Sequence, residues 1–336
     1  MRICLSHDTA LEVLRMPGAA ECLSAAEVRS GSLTGCTANA REIGSSALMG
    51  EPCGLQVSLT TDPILALSRL PLPIHVVVPE RARRRYSDGV VCHVCQGAIP
   101  SGGLVELMPR VFVTSPALTF LQVAPTLSVT RAARLAFEPA GTYALGASTQ
   151  DRDCLYGQTP LSCVADLRST VGSLPAGTRG RSHALRALRF ALDGAASPRE
   201  ADLVLLLCLP HSLGGHGLPF PELNHRIDLD PRARSIARRS YCVADLFWEE
   251  AGIDVEYHGA DFHTGLSRLE SDTGRQAALE SMGIKVIGVS NAQLEDPSAL
   301  DGIASMLAQR LCLRLRGTRY DLDERRRRLR WDLLGV

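Results

Sequence analysis

Lysine is almost missing from this chain of 336 residues: of 36 basic residues only Lys285 is a lysine, and the rest are arginines. A GC-rich codon bias accounts for that, but any mechanism that needs a lysine has one candidate. Net charge is missing as well, since 36 acidic residues balance the basic ones. That removes an overall pull toward nucleic acid and speaks against a non-specific DNA coat, while leaving a local basic groove open. No apolar run reaches the ~20 residues that span a bilayer. The start, MRICLSHDTALEVLR, lacks a basic segment followed by a long apolar one, so no signal peptide is expected and the location read from sequence is cytoplasmic. The LGGHG segment at 213–217 lacks the lysine and the strand–loop–helix setting of a phosphate loop and reads as a tight turn.

Cysteine is present in number, eleven residues, but the count is odd and they are scattered in apolar segments. This is how free cysteines behave as small core residues in a reducing compartment. Cys92 and Cys95 have zinc-knuckle spacing without a second Cys/His pair nearby, so packing is the plainer role. The Arg clusters at 81–85 and 325–328 could contact phosphates, although such runs are commonly solvated.

Length allows two domains. A helix is expected over 6–15 with Ser6 as its cap. Residues 16–65 give no clear reading. Strands are expected at 74–78 and 89–95, then a hairpin of 103–107 with 111–113, and helices from Ser115 and Ser128. Residues 172–182 read as a linker, followed by a helix at 183–192. Beyond Ser197 come a helix, strands near 224–229, 241–247 and 253–257, a helix at 267–282 ended by Gly283, a central strand at 284–289 and a helix at 297–311.

Residues 241–290 draw the chemistry together. Two short strands carry carboxylates, Asp245 and Glu256, and a His-rich turn follows; paired acids on neighbouring strands suit a divalent metal used on phosphodiesters. Plainer roles stand beside these. Glu200, three residues after Ser197, completes an S-x-x-E capping box. Asp245 and Glu256 could be edge carboxylates, His258 and His263 exposed turn residues, and Asp272 with Arg275 a solvated pair.

The helix–strand–strand–strand–helix–strand order, with SPREADL, LGGHGLPFPELN, VADLFW, VEYHG, DFH and D-x-x-R-x-x-x-L-x-x-x-G-I-x-V, resembles the PD-(D/E)xK nuclease superfamily, in particular the very-short-patch-repair-type endonuclease-like domain. The resemblance implies an α/β (α+β) chain whose restriction-endonuclease-like core carries a mixed sheet. It implies that Asp245 and Glu256, joined by Glu200, hold Mg²⁺ or Mn²⁺, that His263 takes part in proton transfer, and that Asp272 and Arg275 support them; His258, off the family pattern, is read as a proton carrier or ligand. Where the superfamily has lysine, and closer relatives often aspartate, this chain has His258. A histidine is mostly neutral at pH 7 and supplies little fixed charge.

In the first half, PIHVVVPERARRR, VVCHVC and VFVTSPALTFLQVA are similar to the antitoxin or regulator proteins of abortive-infection type IV toxin–antitoxin systems, with Gln122 where those carry an aspartate. The expected division is a smaller α+β domain at 1–170, a linker and helix at 171–196, the endonuclease-like domain at 197–312 and an Arg-rich tail at 313–336. The function implied is metal-dependent hydrolysis of DNA phosphodiesters, in phage defence or repair, with RNA left open as substrate and a homodimer or protein partner as assembly. The alternatives are an inactive nuclease fold acting as a nucleic-acid-binding regulator or toxin–antitoxin component, and an interaction scaffold.

Overall fold

A computed structural model describes residues 2–25, 33–39, 43, 58–97, 99–146, 154–259, 266–314 and 320–336, giving backbone alone at 25 and over 266–272 and 320–321. The chain is a mixed α+β protein that divides into two compact units, Met1–Ala191 and Leu192–Val336.

The first unit contains strands β1 (Ile3–Leu5), β2 (Ile74–Val78), β3 (Val90–Val94), β4 (Leu104–Met108), β5 (Val111–Thr114), β6 (Tyr143–Ala144) and β7 (Leu155–Tyr156). Its helices are α1 (His7–Leu14), α2 (Ala19–Ala25), α3 (Pro63–Leu67), α4 (Pro116–Val123), α5 (Val129–Ala140), α6 (Val164–Ser173) and α7 (Arg181–Leu188). The first five strands form one mixed sheet in the order β3-β2-β1-β5-β4. β2, the β4–β5 hairpin and the Ser115 and Ser128 caps lie where local sequence signals place them, because turn and cap chemistry is local. The short β1 has no sequence signature. Its residues are all buried, so it lacks the alternation of a half-exposed strand.

Three imidazoles gather at the junction of β1, β2 and β3. The rings of His7 and His93 stack with centroids 3.5 Å apart, and His93 Nε2 lies 3.1 Å from His75 Nδ1. His7 opens α1 with φ 51°, a left-handed conformation uncommon outside glycine, and its backbone N–H donates to Gln122 Oε1 at 3.1 Å.

The second unit contains α8 (Pro198–Cys208), β8 (Glu222–Asp228), α9 (Pro231–Ala237), β9 (Tyr241–Trp248), β10 (Ile253–His258), α10 (Leu266–Ser281), β11 (Lys285–Ser290), α11 (Asn291–Glu295), α12 (Pro297–Arg310) and α13 (Tyr320–Leu334). The sheet order is β11-β10-β9-β8, antiparallel except for the parallel pair of β10 with β11 joined through α10. Three expectations change. β11 is an edge strand, not a central one, and Lys285 on it is exposed, as suits an edge. Residues 320–334 of the expected tail form a helix that buries Leu322, Leu329 and Leu333. The helix expected at 183–192 as part of the connection is α7, which begins at Arg181 after turns at 174–180 and packs against α5 inside the first unit. α9, unmarked in the sequence reading, is capped by Asp230, which accepts from Ala233 N at 2.7 Å.

The described cysteines are all free thiols, half of them buried. Cys92 and Cys95 make no metal group with other His, Cys, Asp or Glu among the described residues.

The histidine cluster makes stability depend on pH. Burial, and then the neighbouring imidazoles, lower His7 to about 3 and His93 to about 4. An unfolded histidine takes its proton near ~6.5. Below that value the unfolded chain binds more protons than the fold, so this stability is complete above ~6.5 and falls as pH drops toward the folded values. Urea unfolding at pH 7 and pH 4 should show His7 alone contributing a loss of about 3 kcal/mol. His7→Asn, which tolerates the left-handed backbone, should flatten that dependence; an unchanged slope refutes it.

Candidate active site

The acidic site forms on one face of the second sheet because strand residues two apart point the same way. On β10 this aligns Asp254, Glu256 and His258; on β9 it aligns Val243, Asp245 and Phe247. The two strands pair through Asp254↔Phe247 and Val255↔Leu246, and one step further sets Glu256 across from Asp245. Tyr257 N donates to Asp245 Oδ2 at 2.9 Å and fixes that carboxyl over the pair. On β8, Asn224 falls opposite Asp245 between the pairs Leu223↔Leu246 and His225↔Ala244.

Arg275 of α10 reaches into this cluster. Its Nη1 donates to Glu256 Oε2 at 2.7 Å and its Nη2 to Glu256 Oε1 and the Val243 carbonyl, a two-pronged grip that a planar guanidinium supports. The same Nη2 lies 3.5 Å from Asp254 Oδ2. Asp254 is fully buried and neither of its carboxyl oxygens completes a hydrogen bond.

The three carboxyls respond differently. Burial raises Asp245 to about 8, helped by the charges of Glu256 and Glu200 and opposed by the Tyr257 N–H. Burial and the adjacent Glu256 push Asp254 up to about 10. Burial acts in the same direction on Glu256, but its hydrogen bonds from Arg275 outweigh it and hold that carboxyl below its ordinary value. Arg275 thus favours the ionised form of Glu256, while burial shifts Asp245 and Asp254 toward their protonated forms.

Glu200 is committed to its own helix start. Its backbone N–H donates to Ser197 Oγ at 3.1 Å, and its carboxylate accepts from Ser197 Oγ at 2.9 Å, Ala196 N at 2.9 Å and Asn224 Nδ2 at 2.8 Å. It is a variant of the S-x-x-E capping box, its return bond coming from Ala196 N and the Ser197 hydroxyl rather than Ser197 N, and Asn224 ties it to the β8 end of the acidic face. Burial raises its pKa against those hydrogen bonds.

His258 stands at the β11 side, where a side chain on Gly288 would begin 2.6 Å from its Nε2; the glycine leaves the space the imidazole fills. His263 lies outside the described residues, as does the side chain of Asp272. The sequence reading passed over Asp254, although its spacing of two from Glu256 on a strand was a usable signal. It also gave Arg275 a supporting place, whereas the arginine grips Glu256 directly.

Three carboxyls against one guanidinium, with neither Asp254 oxygen completing a hydrogen bond, fit a hard divalent cation in donor chemistry. They are not an assembled ligand sphere: no three His, Cys, Asp or Glu among the described residues are so grouped, and Arg275 fills the charge-balancing position. No family model, curated protein or solved structure matches the chain.

Removing the guanidinium leaves Glu256 buried beside two acids. Arg275→Gln should cost about 3 kcal/mol near pH 7, the scale of breaking a buried ion pair. Since the lowered Glu256 value stabilises the fold above its ordinary pKa and loses that effect in acid, the gap from wild type should narrow toward pH 4. For Asp254 the sign is opposite: its raised value means stability falls as pH rises, so Asp254→Asn should melt higher than wild type at pH 9. Melting curves across pH decide both, and a variant tracking wild type at every pH refutes its half.

Proposed function

We propose that the second unit is a PD-(D/E)xK-like endonuclease domain that hydrolyses DNA phosphodiesters with Mg²⁺ or Mn²⁺. The observation that carries this is the set of buried Asp254 and Glu256 with half-buried Asp245 on adjacent strands, more carboxyl than any structural ion pair with Arg275 needs. Protein interiors exclude such groups unless paired, and strongly shifted carboxyls are concentrated where chemistry uses them. The motif resemblance supports the same reading.

Asp245 and Glu256 are the residues that would hold the ion, which when bound would supply Lewis-acid polarisation of a phosphate oxygen and a more acidic water. For Glu256 to serve, Arg275 must release at least one carboxylate oxygen; freed beside the site, its guanidinium matches a phosphate as well as it matches a carboxylate. Asn224 and the Glu200 cap keep the β8 side in place. His258, beside Glu256 on the same face, is the proton carrier toward the leaving oxygen. The first unit is read as the regulatory, antitoxin-like part.

A second reading is a nuclease fold that has lost turnover and binds nucleic acid as a regulator. It is favoured by His258 in the lysine position and by the hold of Arg275 on Glu256.

Purified full-length protein incubated with supercoiled plasmid and Mg²⁺ or Mn²⁺ separates the two. The endonuclease should nick or linearise the plasmid, and Asp245→Asn or Glu256→Gln should reduce the rate at least ~10²-fold, the scale of losing a positioned catalytic group. Calorimetry with Mn²⁺ should show binding to wild type that both variants lose. Cleavage surviving both substitutions sinks the site, and absence of cleavage together with absence of Mn²⁺ binding leaves the regulator.

A further inference from the structure

The second unit has a basic surface that neither acidic site nor core uses. Residues 226–241 hold five arginines, Arg226, Arg232, Arg234, Arg238 and Arg239, against two aspartates, in a chain whose formal charge is zero. All five are exposed. The aspartates are engaged: Asp228 accepts from Arg226 at 2.9 Å, and Asp230 caps α9. Arg226 also lies over the ring of Tyr241, 4.1 Å from its centroid, leaving an aromatic that is 42% exposed with a guanidinium on its face.

This surface borders the acidic site. A side chain on Gly274 of α10 would begin 3.4 Å from the Ile236 carbonyl oxygen and 3.9 Å from the Ala237 Cα, so the end of α9 lies against α10 one residue before Arg275. Cys242, next to Tyr241, feels both sides: burial raises its thiol, while Arg275 and Arg239 act against that rise. Val243, whose carbonyl Arg275 holds, is 38% exposed and leads along β9 to Asp245.

We propose that Arg226, Arg232, Arg234, Arg238 and Arg239, with Tyr241, form a docking surface for the phosphate backbone of double-stranded DNA running onto the acidic face. The surface is built for phosphate rather than for an acidic peptide groove. It lies on a helix and on the edge strand β8, and its charge comes from arginines, whose planar forks match phosphate oxygens. Arg232 to Arg239 spans about 10 Å of helix and helix end, about three phosphates measured along one strand. It also supplies what the acidic face lacks: carboxyls do not attract a polyanion, and flanking cations must hold it there.

The inference rests on the nuclease-like reading of the unit, yet its test is separate. Fluorescence anisotropy with the full-length protein and a labelled 20-base-pair duplex, across 50–200 mM salt, measures affinity and salt slope. Replacing Arg232→Gln, Arg238→Asn and Arg239→Gln together should weaken binding at least ~10-fold and flatten the slope by about 2 to 3, near one per lost phosphate contact. Asparagine tolerates the φ of 53° at position 238. Wild type that binds the duplex but leaves plasmid uncut with Mg²⁺ or Mn²⁺ counts against the nuclease and leaves the surface standing. If the triple variant melts early, the exposed single change Arg232→Gln carries the test, with a slope lower by about 1. Binding by the triple variant equal to wild type, no binding of wild type at 50 mM salt, or tighter binding of an RNA duplex of the same sequence overturns the proposal.

Discussion

The second unit depends on the grip of Arg275 on Glu256. Three carboxyls from two adjacent strands point to one face, and like charges opposed across a sheet destabilise it. The fold tolerates them because one guanidinium from α10 favours the ionised form of Glu256 and binds the Val243 carbonyl, while burial shifts Asp245 and Asp254 toward their protonated forms. The arginine joins helix to sheet and balances the charge at once. Both jobs meet in one side chain, so any ligand that draws on Glu256 must compete with a structural contact.

That competition explains why composition and motif give incomplete accounts of the face. The D-x-x-R pattern at 272–275 brought Arg275 into view, but only the packing of α10 on the sheet shows which carboxylate it takes. Asp254 was hidden for a different reason: within DVEYHG one acid had already been matched to a motif, and the alternate acid two residues earlier was passed over. Side-chain periodicity alone places both on one face. Glu200 was legible as far as sequence permits, since S-x-x-E marks a capping box, whereas Asn224 as its second tether depends on a register that no local pattern encodes.

The same division runs through the rest of the chain. Caps at Ser115, Ser128 and Ser197 and the β4–β5 hairpin follow from a few consecutive residues and appear where expected. The place of β11 at an edge, the burial of the tail helix and the existence of β1 follow from contacts far apart in sequence. In the first unit, His7 takes a left-handed backbone because Gln122 receives its N–H and His93 stacks on its ring, partners 115 and 86 residues away, the latter being the difference between positions 93 and 7. Both units thus bury titratable groups whose neutral forms burial favours: imidazoles kept neutral further into acid in one, carboxyls shifted toward the protonated form in the other.

Burial also corrects what formal charge suggests about partners. Equal counts of acids and bases imply a surface without preference, but the two signs are not distributed alike. Glu138, Glu200, Asp202, Asp254 and Glu256 are all buried, paired with arginines, hydrogen-bonded or protonated, and project little field into solvent. The arginines of α9 and its flanks are exposed. A count that treats a buried acid and a surface arginine as equal and opposite therefore understates the local positive potential. Long-range attraction of a polyanion responds to that local potential, and to its screening by salt, rather than to the sum over the chain.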